Sequence, residues 1–271
     1  LTAGDEQRLQ LRETESVAAY EAFQRGWEHA RRLTPEDLAA ARDYFEKAVT
    51  IDPGYGRAHA ALAYVHLRAS QLGWSRALGV GWNVARLRAG KYLESAWSSP
   101  TPLAHRVASE IYLQAMRLDD ALDQAERAQA LDPKDPENLL AVARVSVFVG
   151  RAAEAVDLIE SAKRLEVYYP WEYPYLLGLA LFGLDRFADA AEQFESAIAL
   201  SPANELPWAP LAAALAYLGR EAEARRAFEA YATGQSASPR SHAGVTTVEG
   251  LRERFPYQRR VDRDRLLAGL S

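Results

Sequence analysis

The sequence predicts an all-α solenoid of about six helix pairs with a C-terminal helical cap, and three observations predict it. Small residues that anchor the second helix of each pair recur at Ala121, Ala155, Ala190 and Ala224, spaced 34, 35 and 34 residues. An apolar, aromatic or small residue follows each anchor by four positions, at Ala125, Ile159, Phe194 and Phe228. Two of these helices run into proline, in "ALDP" and "ALSP", and a further copy upstream, "AARDYFEKAVTIDPGYG", ends the same way at Pro53. Proline cannot continue a helix, so each marks a helix end.

Taken in order, residues 1–14 form an N-terminal linker or helix, and the pairs span about 15–53, 54–101, 102–135, 136–170, 171–204 and 205–233. In the first pair Thr34 is placed to cap the second helix, with Pro35 as its first residue. The second pair is degenerate, because "SQLGWSRALGVG" delays its second helix, "WNVARLRAGKYLESAW". First helices carry a stripe at spacings of one and three, such as Leu177, Gly178 and Leu181, whose small members let two helices approach closely. Residues 234–245 read as a linker, and "TTVEGLRERF" and "RVDRDRLLAGL" as short helices folding back on the last repeat.

These features resemble the tetratricopeptide repeat, a 34-residue helix-turn-helix unit, over about residues 15–233. The resemblance implies a right-handed superhelix with a concave inner surface, because a single pair cannot bury both of its faces. More narrowly, "LTAGDEQRL", "AYEAFQRGW", "LTPEDLAAARDYFEKAVTIDPGYGRAHAALA" and "FPY...DRDRLLAGL" resemble the C-terminal repeat region of bacterial proteins that join such repeats to a class III adenylate or guanylate cyclase. Similar regions follow winged-helix DNA-binding domains. This resemblance implies a sensory or interaction module of a larger signalling protein, which carries its catalytic domain elsewhere.

Composition narrows the classes. The chain has 271 residues, 49% of them hydrophobic, and no apolar run approaches a membrane span. Its formal charge is -5, with arginines scattered among acids, so nucleic acid is not the expected partner. The absence of cysteine excludes disulfides, thiolate metal sites and cysteine nucleophiles. The start "LTAGDEQRLQ" has neither Met nor a signal-peptide pattern, as expected of a fragment or processed form. A soluble chain is expected, cytoplasmic, or periplasmic if a membrane span outside this sequence tethers it.

No catalytic constellation, metal site or cofactor is expected. His59 and His66 lie seven residues apart on a packing stripe, where helical metal ligands sit three or four apart. His105 occupies the same kind of slot. Gly79–Gly81 lacks a phosphate-loop lysine. Asp119 and Asp120 precede a repeat helix and favour its N-terminal dipole. "RRVDRDR" interleaves Arg with Asp and reads as a solvated helix face.

The partner surface follows from helical geometry. If the packing stripe of each first helix faces its own second helix, the second, fifth, ninth and twelfth positions of that helix line the concave side. In the second pair these include Tyr64, in the third Arg106 and Glu110, in the fourth Arg144, and in the fifth Tyr175, Leu179 and Phe182. This apolar groove suits a protein segment anchored by apolar side chains, with Arg106 and Arg144 fixing a carboxylate. Repeats that grip C-terminal carboxylates use Lys and Asn at the fifth and ninth positions, which this chain lacks. The alternative occupants are the chain's own termini or a second copy in a homo-oligomer, and the alternative function is dimerisation of a cyclase or transcription regulator. At the joint of the fourth and fifth pairs, "VYYPWEYPY" places Tyr168, Tyr169 and Trp171 at the groove edge. There Pro170 and Pro174 serve as a structural joint, with recognition the other reading.

Overall fold

The structure, a computed structural model, describes residues 14–166, 168–202, 204–237, 257 and 260–270. Among these residues every regular element is helical. They form two compact units that divide between Ile111 and Tyr112.

The first unit opens with α1 (Val17–Ala30) and α2 (Pro35–Ile51). Ser16 caps α1 by accepting from the Ala19 N–H, and Thr34 caps α2 by accepting from the Asp37 N–H at 3.1 Å. Pro35 is the first residue of α2, where its missing N–H has no cost. The second pair is α3 (Gly56–Gln71) and α4 (Trp82–Ala96), with the 3₁₀ turn Ser75–Leu78 inside the long connection that the sequence marks. Phe23 joins the pairs, its ring centroid 5.5 Å from both Phe45 and Tyr55. The division falls within α5 (Pro102–Gln114).

The second unit contains α6 (Leu118–Leu131), α7 (Pro136–Phe148), α8 (Ala152–Leu165), α9 (Glu172–Gly183), α10 (Phe187–Leu200), α11 (Trp208–Tyr217) and α12 (Glu221–Ala237). The second helices α6, α8 and α10 bury one stripe each, including the anchors Ala121, Ala155 and Ala190. The first helices α7 and α9 are buried nearly all round, because each meets its partner on one side and neighbouring pairs on the others. One core runs through the unit from Leu113 to Leu267.

The tight turns of this unit share one device. Met116, Gly150, Asp185 and Gly219 take positive φ, at 59°, 81°, 60° and 73°. The next residue is each time an arginine, and the N–H of Arg117, Arg151, Arg186 and Arg220 reaches back to the carbonyl of Tyr112, Ser146, Leu181 and Leu215 at 2.8–3.0 Å. Each arginine then pairs with an acid three residues on, at Asp120, Glu154, Asp189 and Glu223.

One sequence expectation changes. Helix α12 runs to Ala237, so 234–237 are helical and not linker. The terminal pattern "RVDRDRLLAGL" forms a helix, α13 (Arg260–Ala268), and it packs against α11 of the last pair, as expected. The expected segments 1–13, 238–245 and "TTVEGLRERF" lie outside the described residues.

Candidate functional site

In the first unit, α3 carries Tyr64 half-buried, its ring 5.5 Å from Trp27. One turn on, the Arg68 guanidinium stands 5.4 Å over the Tyr64 ring and 3.5 Å from Glu110 Oε1 on α5. Gln71 donates to Glu110 Oε2 at 3.1 Å and accepts from Arg68 at 3.2 Å. Arg68 and Glu110 are both mostly withdrawn from solvent, so the three side chains form a polar network held away from water. Arg106 lies half-buried one turn before Glu110 on α5. Helical spacing names Tyr64, Arg106 and Glu110 but passes over Arg68, because it gives the open place to the twelfth position, Leu67. Leu67 is buried, and Arg68 is the residue that meets Glu110.

In the second unit, Arg144 on α7 faces Glu172 on α9 at 3.7 Å, with both side chains mostly covered. Tyr175, Leu179 and Phe182, expected to line an open groove, are all buried. Tyr175 packs 5.6 Å from Trp171 and 6.4 Å from Phe194. Phe182 meets Phe187 and Tyr217 edge-on at 5.2 and 5.8 Å, and those two rings stack at 4.4 Å.

The C-terminal segment lies across this same stripe. Tyr257 sets its ring edge-on to Phe148 of α7 at 5.3 Å. From α13, Arg265 donates to the Gly183 carbonyl at the end of α9 at 3.2 Å and pairs with Asp185 at 3.2 Å. The Tyr217 hydroxyl of α11 donates to the Arg265 carbonyl at 2.9 Å. Leu266 and Leu267 are buried, and Gly269 sits so close to Ala213 that a Cβ there would be 3.0 Å from its Cβ. Ala213 is the ninth position of its first helix; Phe148, Gly183 and Tyr217 are each the thirteenth. The C-terminal cap thus folds back on the last pair and reaches beyond it along the inner stripe of three first helices, and Arg265, expected on a solvated face, is one of its contacts.

The aromatic joint divides. Tyr168 is 92% exposed. Tyr169 stacks on Tyr173 at 5.4 Å, with Lys163 over its outer face at 5.4 Å. Tyr173, not singled out by the sequence, is fully buried and donates to Glu166 at 2.7 Å, tying the end of α8 to the start of α9. The candidate histidines serve packing: His59 meets the Pro53 carbonyl at 2.9 Å, His66 stacks on Tyr92, and His105 packs on Trp97. Among the described residues, no group of three or more His, Asp or Glu is placed to hold a metal ion. No described helix is long and apolar enough to cross a membrane.

Comparison with known proteins agrees with this geometry. A family model described as "Tetratricopeptide repeat" matches residues 36–55 and 174–204. No curated protein matches the chain. Among solved structures, TTC0263, a thermophilic tetratricopeptide-repeat protein of Thermus thermophilus, is 21% identical, with 73% of this chain and 99% of that one covered and a TM-score of 0.51. The pilF of Pseudomonas aeruginosa is 17% identical over 93% of this chain and 97% of its own, with a TM-score of 0.52. The Cut9-Hcn1 hetero-tetramer of APC/C is 17% identical over 93% of this chain and 46% of the matched one, with a TM-score of 0.54. Two matched segments, the six helix pairs among the described residues and these structural likenesses give the chain the fold of a tetratricopeptide-repeat protein.

Proposed function

We propose that the chain is a non-catalytic protein-interaction scaffold that takes a protein segment against the inner stripe of its first helices, as the regulatory or sensory part of a larger signalling protein. One observation carries this reading: the stripe of the second unit already receives a helix, through buried leucines, one arginine and backbone polar groups. In the first unit the corresponding stripe offers Tyr64 with the Arg68–Glu110 network, and on this reading Arg106 meets an acidic group of the partner.

The test is a pull-down from source-cell lysate with the intact chain and an Arg106→Ala, Arg144→Ala variant, followed by titration of any captured protein. A partner bound more than tenfold more weakly by a variant of unchanged helicity supports the reading. Equal capture by both forms moves recognition elsewhere, with Tyr168 and Trp171 next. A second reading, self-association, rests on Val84 and Leu87, which stand exposed on α4. Light scattering that finds monomer throughout the micromolar range removes it.

A further inference from the structure

We propose that Tyr257 and α13 act as a displaceable internal ligand of the second unit. The external ligand of that face is then a cationic amphipathic helix carrying Arg-Leu-Leu, any residue, then Gly. The proposal rests on the scaffold reading and adds the ligand class and its regulation.

The segment differs from the rest of the core in how it is held. Helix α13 has nine residues, fewer than the roughly 12 to 15 that sustain a helix alone in water, so docking and helicity are coupled. It presents one narrow apolar edge, Leu266 and Leu267, while Val261 and Ala268 are exposed. Its charged contact is peripheral, since Asp185 is 59% exposed. The helix pairs beneath keep their own packing: Gly178 of α9 receives Phe194 of α10, and Phe182 meets Phe187. Releasing the segment uncovers the stripe and leaves those pairs joined.

The face also specifies its ligand. The carbonyl end of α9 at Gly183 and the Asp185 carboxylate together favour a cation. Ala213 admits a glycine and leaves no room for a Cβ, the Tyr217 hydroxyl offers a donor, and Phe148 offers a ring edge to an aromatic side chain. Because segment and face belong to one chain, the segment competes at an effective concentration set by its tether. An outside helix must therefore bind better than the resident one, or arrive after the resident one is released.

The probe is a fluorescein-labelled synthetic peptide of residues 257–270, and the readout is anisotropy with the full chain. Leu266→Asp with Leu267→Asp releases the segment, and this variant is expected to bind the peptide at least tenfold more tightly than the unaltered chain. Adding Asp185→Asn, which the left-handed backbone there tolerates, is expected to weaken that binding severalfold. A folded variant that binds no more tightly than the unaltered chain overturns the proposal, as does binding indifferent to Asp185→Asn. Should the double variant unfold, Arg265→Glu provides the release, with a gain of about threefold expected. Unfolding of both makes the segment integral core and also overturns it. A peptide that binds as expected while lysates yield no partner sinks only the scaffold reading; a lysate partner that ignores the release mutations sinks only this one.

Discussion

The Cβ that Gly178 lacks would stand 2.5 Å from Cε1 of Phe194, so α9 and α10 touch backbone against ring. Gly26 repeats the relationship with Phe45 in the first unit, at 2.6 Å. Alanine is ordinarily the better helix former by about 1 kcal/mol. Here overpacking against a buried ring outweighs that preference, at about 1–3 kcal/mol. Gly178→Ala is therefore expected to lower the urea midpoint, and a variant more stable than the unaltered chain would disprove the close approach.

His66 is fully buried with neither ring nitrogen hydrogen-bonded, and it stacks on Tyr92 at 5.5 Å. Burial, with the nearby Arg88 and Arg42 guanidiniums, lowers its pKa to about 4. The folded value lies below the unfolded one, so the unfolded chain takes up the proton first as pH falls. Stability is complete above about pH 6.5 and declines toward pH 4, by about 2 kcal/mol between pH 7.5 and pH 5. His66→Phe is expected to flatten this acid dependence, because no imidazole remains to be charged in the unfolded state. Parallel acid profiles for the two chains, by urea unfolding at each pH, would remove His66 as its source.

The helix pairs were legible because each buried stripe returns at a fixed phase, with a period near 34 from the third pair onward and an insertion that lengthens the second. Thr34 and Pro35 were legible for a local reason, since cap chemistry acts within three residues. Periodicity tells which side of a helix is inward and says nothing of what returns to cover it. Arg265 and the Gly183 carbonyl are 82 residues apart, and no local pattern joins them. The groove register was read one residue short at its far end. One turn of 3.6 residues carries the ninth position to between the twelfth and thirteenth, and packing assigns the twelfth inward at Leu67, Val147 and Phe182. The arginine-acid pairs at each turn were visible as R-x-x-D/E at the repeat spacing, but a surface ion pair draws little notice beside an apolar stripe.

Met116 holds the left-handed turn position that Gly150 and Gly219 hold in other pairs, at φ 59°. Its side chain is mostly exposed, so little packing offsets the backbone cost. A left-handed conformation costs an L-residue about 1–2 kcal/mol, of which glycine avoids most. Met116→Gly is expected to stabilise the chain by about 1 kcal/mol after its greater unfolded-state entropy is deducted. Denaturant unfolding checks the sign, and a clear loss of stability would mean that Met116 makes contacts worth more than the strain.

Tyr173 supplies the sharpest test of the aromatic joint, because its hydroxyl is the only polar atom of a fully buried side chain and it donates to Glu166 at 2.7 Å. Tyr173→Phe keeps the ring and its stacking on Tyr169 while removing that bond, at an expected cost of about 1–2 kcal/mol. Burial and then the Glu166 carboxylate push the phenol well above its ordinary range. In the unfolded chain it ionises near pH 10, so above that pH the unfolded state loses a proton that the folded state keeps. Stability contributed by the neutral phenol is complete below pH 10 and falls as pH rises, by up to about 1.4 kcal/mol per unit. Tyr92, also raised by burial, adds to the same slope, so Tyr173→Phe is expected to reduce the alkaline dependence without abolishing it. The measurement is urea unfolding from pH 8 to pH 11 for both chains. A loss at neutral pH together with a shallower alkaline slope places the buried hydroxyl where the joint needs it, whereas an unchanged slope would show that Tyr173 meets solvent and that α8 and α9 are tied by stacking alone.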